Sequence, residues 1–156
     1  MRGETSYGDS VVAIAQAREP PEPLVFTEAA IEEATGEPAP TVRSIETLFT
    51  CIGPAPGLRA CESLQELTLM NARLDSVPVE LQYVRATLER LSLAGNAIGR
   101  IEHLGGMVRL TSLFLHENRI TSARGLGGCP ALQRLWLSSN QLASLDGLAA
   151  LRELRE

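Results

Sequence analysis

The feature that most constrains this chain is a short pattern written three times. LERLSLAGNAI begins at Leu88, LTSLFLHENRI at Leu110 and LQRLWLSSNQL at Leu132. Each has the form L-x-x-L-x-L-x-x-N-x-I/L, and the opening leucines stand 22 residues apart. A unit with a single apolar face buries that face only by stacking on copies of itself, so the architecture follows from the spacing.

Residues two apart on an extended strand point to the same side. Leu91 with Leu93, Leu113 with Leu115, and Leu135 with Leu137 therefore face inward, and the residues between them face out. After each strand the chain must bend, which strips backbone groups of their ladder partners. An asparagine amide both donates and accepts, so Asn96, Asn118 and Asn140 are predicted to form a buried structural ladder that satisfies those groups. Ile98, Ile101 and Leu104 recur as Ile120, Ala123 and Leu126, then as Leu142, Leu145 and Leu148, giving the return stretch its own apolar wall. The period leaves room for irregular or 3₁₀ returns but not for long helices. The predicted fold is an α/β repeat solenoid: a short curved array with a parallel sheet on its concave side and irregular or 3₁₀ convex returns.

Two flanking units are imperfect. LQELTLMNARL from Leu64 keeps Leu67 and Leu69 but carries Ala72 at the ladder position, and Leu88 follows Leu64 by 24 residues, with the extra pair expected near Val77, Pro78 and Leu81. One period earlier, Val42, Ile45, Ile52 and Leu58 fall in register, whereas Thr47 and Thr50 replace a strand leucine and the asparagine. Residues 42–63 therefore read as a degenerate repeat or an N-terminal helical cap. Leu154 would open a further unit just before Glu156. The expectation is a fragment of a longer repeat protein, the last repeat of 64–156 being truncated.

Residues 1–41 have a different composition. Arg2 and Arg18 oppose Glu4, Asp9, Glu19, Glu22, Glu28, Glu32, Glu33 and Glu37, a net of −6 within a chain whose total is −5. Prolines at 20, 21, 23, 38 and 40 divide the stretch into short pieces, so a largely disordered acidic tail is expected. Two short helices are allowed within it: Val11–Arg18 behind Asp9 or Ser10, and Glu28–Thr35 between Thr27 and Gly36. The apolar run VVAIAQA from Val11 is a docking segment for a partner or for the first repeat, or a weakly helical linker.

These residues carry a resemblance. Residues 64–156 resemble the leucine-rich repeat superfamily, and their period with L-x-x-L-x-L-x-x-N-x-I/L-x-x-L/I-x-x-L is similar to its intracellular subclass. That subclass is typified by the regulatory subunit of protein phosphatase 1 and includes many axonemal and ciliary proteins. The resemblance implies a protein-binding solenoid; Ala72 and the longer second unit depart from the pattern.

Outward strand positions name the candidate binding site. Thr68, Ser92, Phe114 and Trp136 form the column between paired leucines, and strands ~4.8 Å apart place Phe114 and Trp136 on one aromatic ledge. Arg90 and Arg134 lie in the preceding column, His116 and Ser138 in the following one, and Glu117 and Arg119 near the turn. Exposed aromatics with arginine are the composition of an interface hot spot.

Catalysis finds no motif. His103 and His116 are the only histidines, neither stands with a nucleophile or metal set, and the GLGG and LGG glycines belong to returns, not a phosphate loop. No cofactor, metal or small-molecule substrate is expected. Nucleic acid is disfavoured because the tail is acidic and the repeats nearly neutral. All fourteen basic residues are arginine, a compositional trait without functional content. No membrane-spanning run and no convincing targeting signal are present. Cys51, Cys61 and Cys129 read as reduced core residues, and the repeats lack glycosylation acceptors, which leads to the expectation of a cytoplasmic setting, with a ciliary or axonemal one as its narrower form. The functional expectation is a non-enzymatic module binding a protein partner on its concave face. The alternatives are an axonemal or ciliary docking component and a regulatory subunit of a protein phosphatase.

Overall fold

The computed structural model describes residues 22–155. Five strands, β1 (Ser44–Leu48), β2 (Glu66–Met70), β3 (Arg90–Ser92), β4 (Ser112–Phe114) and β5 (Arg134–Trp136), form one parallel sheet in chain order. Equivalent positions pair without offset: Ile45 with Leu67, Leu67 with Leu91, Leu91 with Leu113, and Leu113 with Leu135. Returns run through 3₁₀ turns at Pro56–Ala60, Val79–Tyr83, Leu126–Gly128 and Leu148–Ala150. One continuous apolar core extends from Phe26 to Leu151 between sheet and returns. The fold is thus the repeat solenoid that the leucine spacing predicts.

The asparagines do the bending chemistry. Asn118 is buried; its Nδ2 donates to the carbonyls of Leu93 (2.9 Å), Leu115 (3.1 Å) and His116 (3.2 Å), and its Oδ1 accepts from Ile98 N–H at 3.0 Å. Asn140 repeats the set on Leu115, Leu137, Ser138 and Ile120. Asn96 does more, since its Oδ1 accepts from both Ala72 N–H (2.9 Å) and Leu74 N–H (3.1 Å). Ala72 cannot make such bonds for the unit before it. There the turn closes through the backbone instead, Ile52 N–H donating to the Ala72 carbonyl at 3.1 Å.

A second column was not evident from the sequence. The residue preceding each ladder position is left-handed in all five units: Phe49, Asn71, Gly95, Glu117 and Ser139 have φ of 56°, 52°, 69°, 56° and 56°. Asparagine and glycine suit that conformation, whereas a bulky residue such as Phe49 is strained in it. In the returns, Gly125 and Gly147 reach φ of 103° and 106° because the chain passes against the previous unit; a Cβ on Gly125 would lie 2.0 Å from the Ile101 carbonyl oxygen.

Several expectations change. Of the acidic stretch, residues 22–41 are folded onto the solenoid, while residues 1–21, with the Val11–Arg18 helix and the VVAIAQA run, lie outside the described residues. Helix α1 (Glu28–Thr35) forms with the Thr27 hydroxyl accepting from Ala30 N–H at 3.1 Å and with Gly36 left-handed at its end. Phe26, Ile31 and Ala39 enter the core, and that apolar anchoring outweighs the local charge and proline content. Residues 42–63 supply β1 and a 3₁₀ turn, and the helix precedes them. In the last unit Leu135, Leu137, Leu142 and Leu148 are only partly buried and Leu145 is exposed, because no following unit covers them within the described residues. Cys61 and Cys129 are buried free thiols whose pKa values burial pushes up to about 11, whereas Cys51 is half-buried and not a core residue.

Candidate functional site on the concave face

Strand alternation projects one residue per unit from the centre of the concave sheet: Thr68 beside Ser92, Ser92 beside Phe114, and Phe114 beside Trp136. Glu46 of β1 opens this column beside Thr68; Thr68 and Ser92 are small, and Phe114 and Trp136 are large. The Phe114 and Trp136 rings meet edge to face, with centroids 5.3 Å apart and planes 81° apart. That is the geometry the ring quadrupoles favour. Trp136 remains 51% exposed, so about half of the indole surface is open to solvent beside Phe114.

His116, from the next column, tilts against the same indole at 6.0 Å between centroids. Its Nδ1 is, among the described residues, the buried side-chain polar atom without a hydrogen-bond partner. A buried polar atom of this kind is costly unless it is given a hydrogen-bond partner. Two residues of the preceding unit, Phe114 and His116, thus converge on Trp136.

The charged candidates are placed less uniformly. Arg90 and Arg134 both project, exposed, from the column preceding the aromatics. Arg90 is ion-paired with Glu66 on the neighbouring strand, a hydrogen bond that raises the guanidinium pKa above its ordinary value. Glu66 was missed by sequence reasoning because it lies in the irregular second unit; the register Glu66 opposite Arg90 supplies the signal. Ser138, Glu117 and Arg119 are exposed at the strand ends and turns, with Glu117 held in the left-handed column. The structure therefore brings Phe114, Trp136 and His116 into contact, ties Arg90 to Glu66, and leaves Ser138, Glu117 and Arg119 around the rim. His103 is an exposed residue of a convex return.

Among the described residues no helix is long and apolar enough to cross a membrane. A leucine-rich repeat profile matches residues 62–120, and a second, describing two copies of the repeat, matches residues 108–150. Among solved structures, the chain is similar to an internalin from Listeria monocytogenes at 24% identity and a TM-score of 0.64, covering 73% of this chain and 34% of that one. It is also similar to internalin C2 of the same organism at 25% identity and a TM-score of 0.65, covering 73% of this chain and 50% of that one. The chain therefore spans half or less of the length of these structures. No curated protein matches it. Leucine-rich repeats generally mediate contacts between proteins, and the repeated strand, asparagine turn and 3₁₀ return place this chain in the leucine-rich repeat family.

Proposed function

We propose that the chain is a non-enzymatic interaction module that binds a protein partner on its concave face, through a hot spot formed by Phe114, Trp136 and His116. The observation that carries this reading is the half-exposed Trp136 indole, braced edge to face by Phe114 on a sheet surface whose central residues in the two preceding strands, Thr68 and Ser92, are small. A rigid aromatic of this kind supplies contact area at little cost in conformational entropy. Arg90, Arg134, Ser138, Glu117 and Arg119 form a polar rim of mixed sign, which suits a protein surface better than a polyphosphate backbone. The free thiols of Cys51, Cys61 and Cys129 favour a reducing, cytoplasmic setting. The axonemal docking and phosphatase-regulating alternatives rest on the sequence resemblance; ciliary localisation would select the first, and co-purification of a phosphatase catalytic subunit the second.

The test is affinity capture with the native chain, followed by binding measurements on the double variant Phe114→Ala, Trp136→Ala. Both side chains stand on the outer surface of the sheet, so circular dichroism should report an unchanged fold. Binding should weaken at least ~30-fold, equivalent to about 2 kcal/mol. A folded double variant that binds normally moves the site to the convex face or the loops.

A further inference from the structure

The aromatic ledge occupies one end of the concave face, and a second apolar cluster stands at the other. Phe49 follows β1 and is 77% exposed, more than any other large apolar side chain among the described residues. Its neighbour Leu48 is exposed as well and lies in register with Met70 of β2, which is half-buried. The Phe49 N–H donates to the Met70 carbonyl at 3.0 Å, so the backbone that carries the ring is fixed to the sheet. That backbone is costly. It is left-handed, which a bulky side chain disfavours, and the next two units meet the same need with Asn71 and Gly95. Burial of the ring in the core would offset the cost, but the ring is largely open to solvent. Strain retained at an exposed aromatic points to a contact made outside the chain.

We propose, on the concave-face reading given above, that Leu48, Phe49 and Met70 form a second anchor of the same site, and that the partner segment seated on both anchors is an amphipathic helix. Between the anchors, Thr68, Ser92 and the buried Ala94 keep the floor low. The outward columns run from Ser44 to Leu48 on β1, a rise of ~13 Å, which matches the ~10–12 Å width of a helix with its side chains. β1 stands three strand spacings from β4 and four from β5, or ~14–19 Å, which a helix covers in ~10–13 residues. Anchor residues on the partner therefore stand about eleven apart, three turns, and point to the same side. A helix presents both at a fixed spacing, whereas a flexible loop would lose entropy on ordering.

Charge sets the direction of that helix. At the β1 end, Glu46 is half-buried in the central column beside Thr68 and makes no ion pair among the described residues. A lysine or arginine of the partner complements it, and so does the positive end of a helix dipole. The partner helix therefore lies with its N-terminal, basic turn over β1 and its later apolar residue on the ledge of Phe114 and Trp136.

A displayed library of helix-forming peptides, selected on the full chain, supplies the probe. Enriched peptides should carry large apolar residues about eleven apart, with Lys or Arg near the first of them. Phe49→Asn should then weaken binding of the selected peptide at least ~10-fold while raising the urea midpoint, because asparagine tolerates the left-handed backbone. A residue held only for the fold would lower that midpoint when replaced, and this result overturns the anchor. The double variant Phe114→Ala, Trp136→Ala tests the underlying reading separately. If it weakens the peptide and Phe49→Asn does not, the second anchor is overturned and the concave site stands; if neither weakens it, both are overturned. A selection that enriches nothing, or only peptides without the two-anchor spacing, overturns the helix.

Discussion

The fourth and fifth units, beginning at Leu110 and Leu132, share one sequence pattern and differ in what lies beyond them. Both asparagines complete the same hydrogen bonds, with equivalent partners and lengths within about 0.2 Å of one another. Yet Leu113 and Leu115 are fully buried, whereas Leu135 and Leu137 are only partly so. The difference shows that the two stabilising terms point in different directions along the solenoid. Ladder bonds reach backward, as Asn140 does to Ile120 and Leu115, so a terminal unit keeps them. Apolar cover comes also from the unit ahead, which the described residues supply to the fourth unit and not to the fifth.

The largest expected contrast lies in that cover. Leu115→Ala should cost ~2–5 kcal/mol, through lost transfer energy and an unrelaxed cavity, and Leu137→Ala less than half as much because its surroundings are already open. Urea denaturation of the two variants measures both. Equal losses would break the comparison and place the two leucines in equivalent environments.

Cover can be supplied as well as removed. Appending a repeat with a polar outer face after Glu156 should take Leu135, Leu137 and Leu148 from partial to full burial, adding on the order of 2–3 kcal/mol and reducing self-association. In the extended chain, Leu137→Ala should then become as damaging as Leu115→Ala. A persistent gap would show that the fifth unit differs internally and not through its neighbour.

The ladder should respond less to position. Asn118→Ala strands the Ile98 N–H and the carbonyls of Leu93 and Leu115, at roughly 1–3 kcal/mol, and Asn140→Ala should cost somewhat less because water reaches its half-exposed site. Gln141→Ala, on an exposed side chain, should stay within ~0.5 kcal/mol of the parent. Indistinguishable midpoints for Asn118→Ala and Gln141→Ala would remove the ladder from the account.

What could be read from the sequence follows the same division. The inward leucines, the asparagine turns and the aromatic column recur at one fixed spacing, so Leu91, Asn118 and Trp136 were legible as positions. Features without a period were not. α1 could be placed by its Thr27 and Gly36 caps, but its attachment depends on Phe26 and Ile31 meeting the first return, which no local signal announces. Leu145 occupies a core column of the pattern yet is 64% exposed, because burial belongs to the stack and not to the unit. The Glu66 to Arg90 pair was hidden by the 24-residue spacing, and the His116 contact with Trp136 by side-chain direction. Phe49, left-handed and 77% exposed, sits in a column that only the backbone reveals.

The smallest effect is expected where the fourth and fifth units touch through charge alone. Asp146 accepts from Arg124 at 3.1 Å on the convex side, and hydrogen bonding by the Ser144 hydroxyl, followed by the Arg124 guanidinium, holds its carboxyl below the ordinary aspartate range. A depressed folded pKa means stability that is present above the unfolded value, ~3.9, and is lost as pH falls through the folded one. Both side chains are largely in water, so screening leaves little of this. Asp146→Asn should therefore leave the urea midpoint at pH 7 and 0.15 M salt indistinguishable from the parent. At low ionic strength the parent should lose slightly more stability than the variant between pH 5 and pH 2. A clear loss at pH 7 and physiological salt would mean that the convex pair, and not leucine cover alone, secures the fifth unit to the fourth.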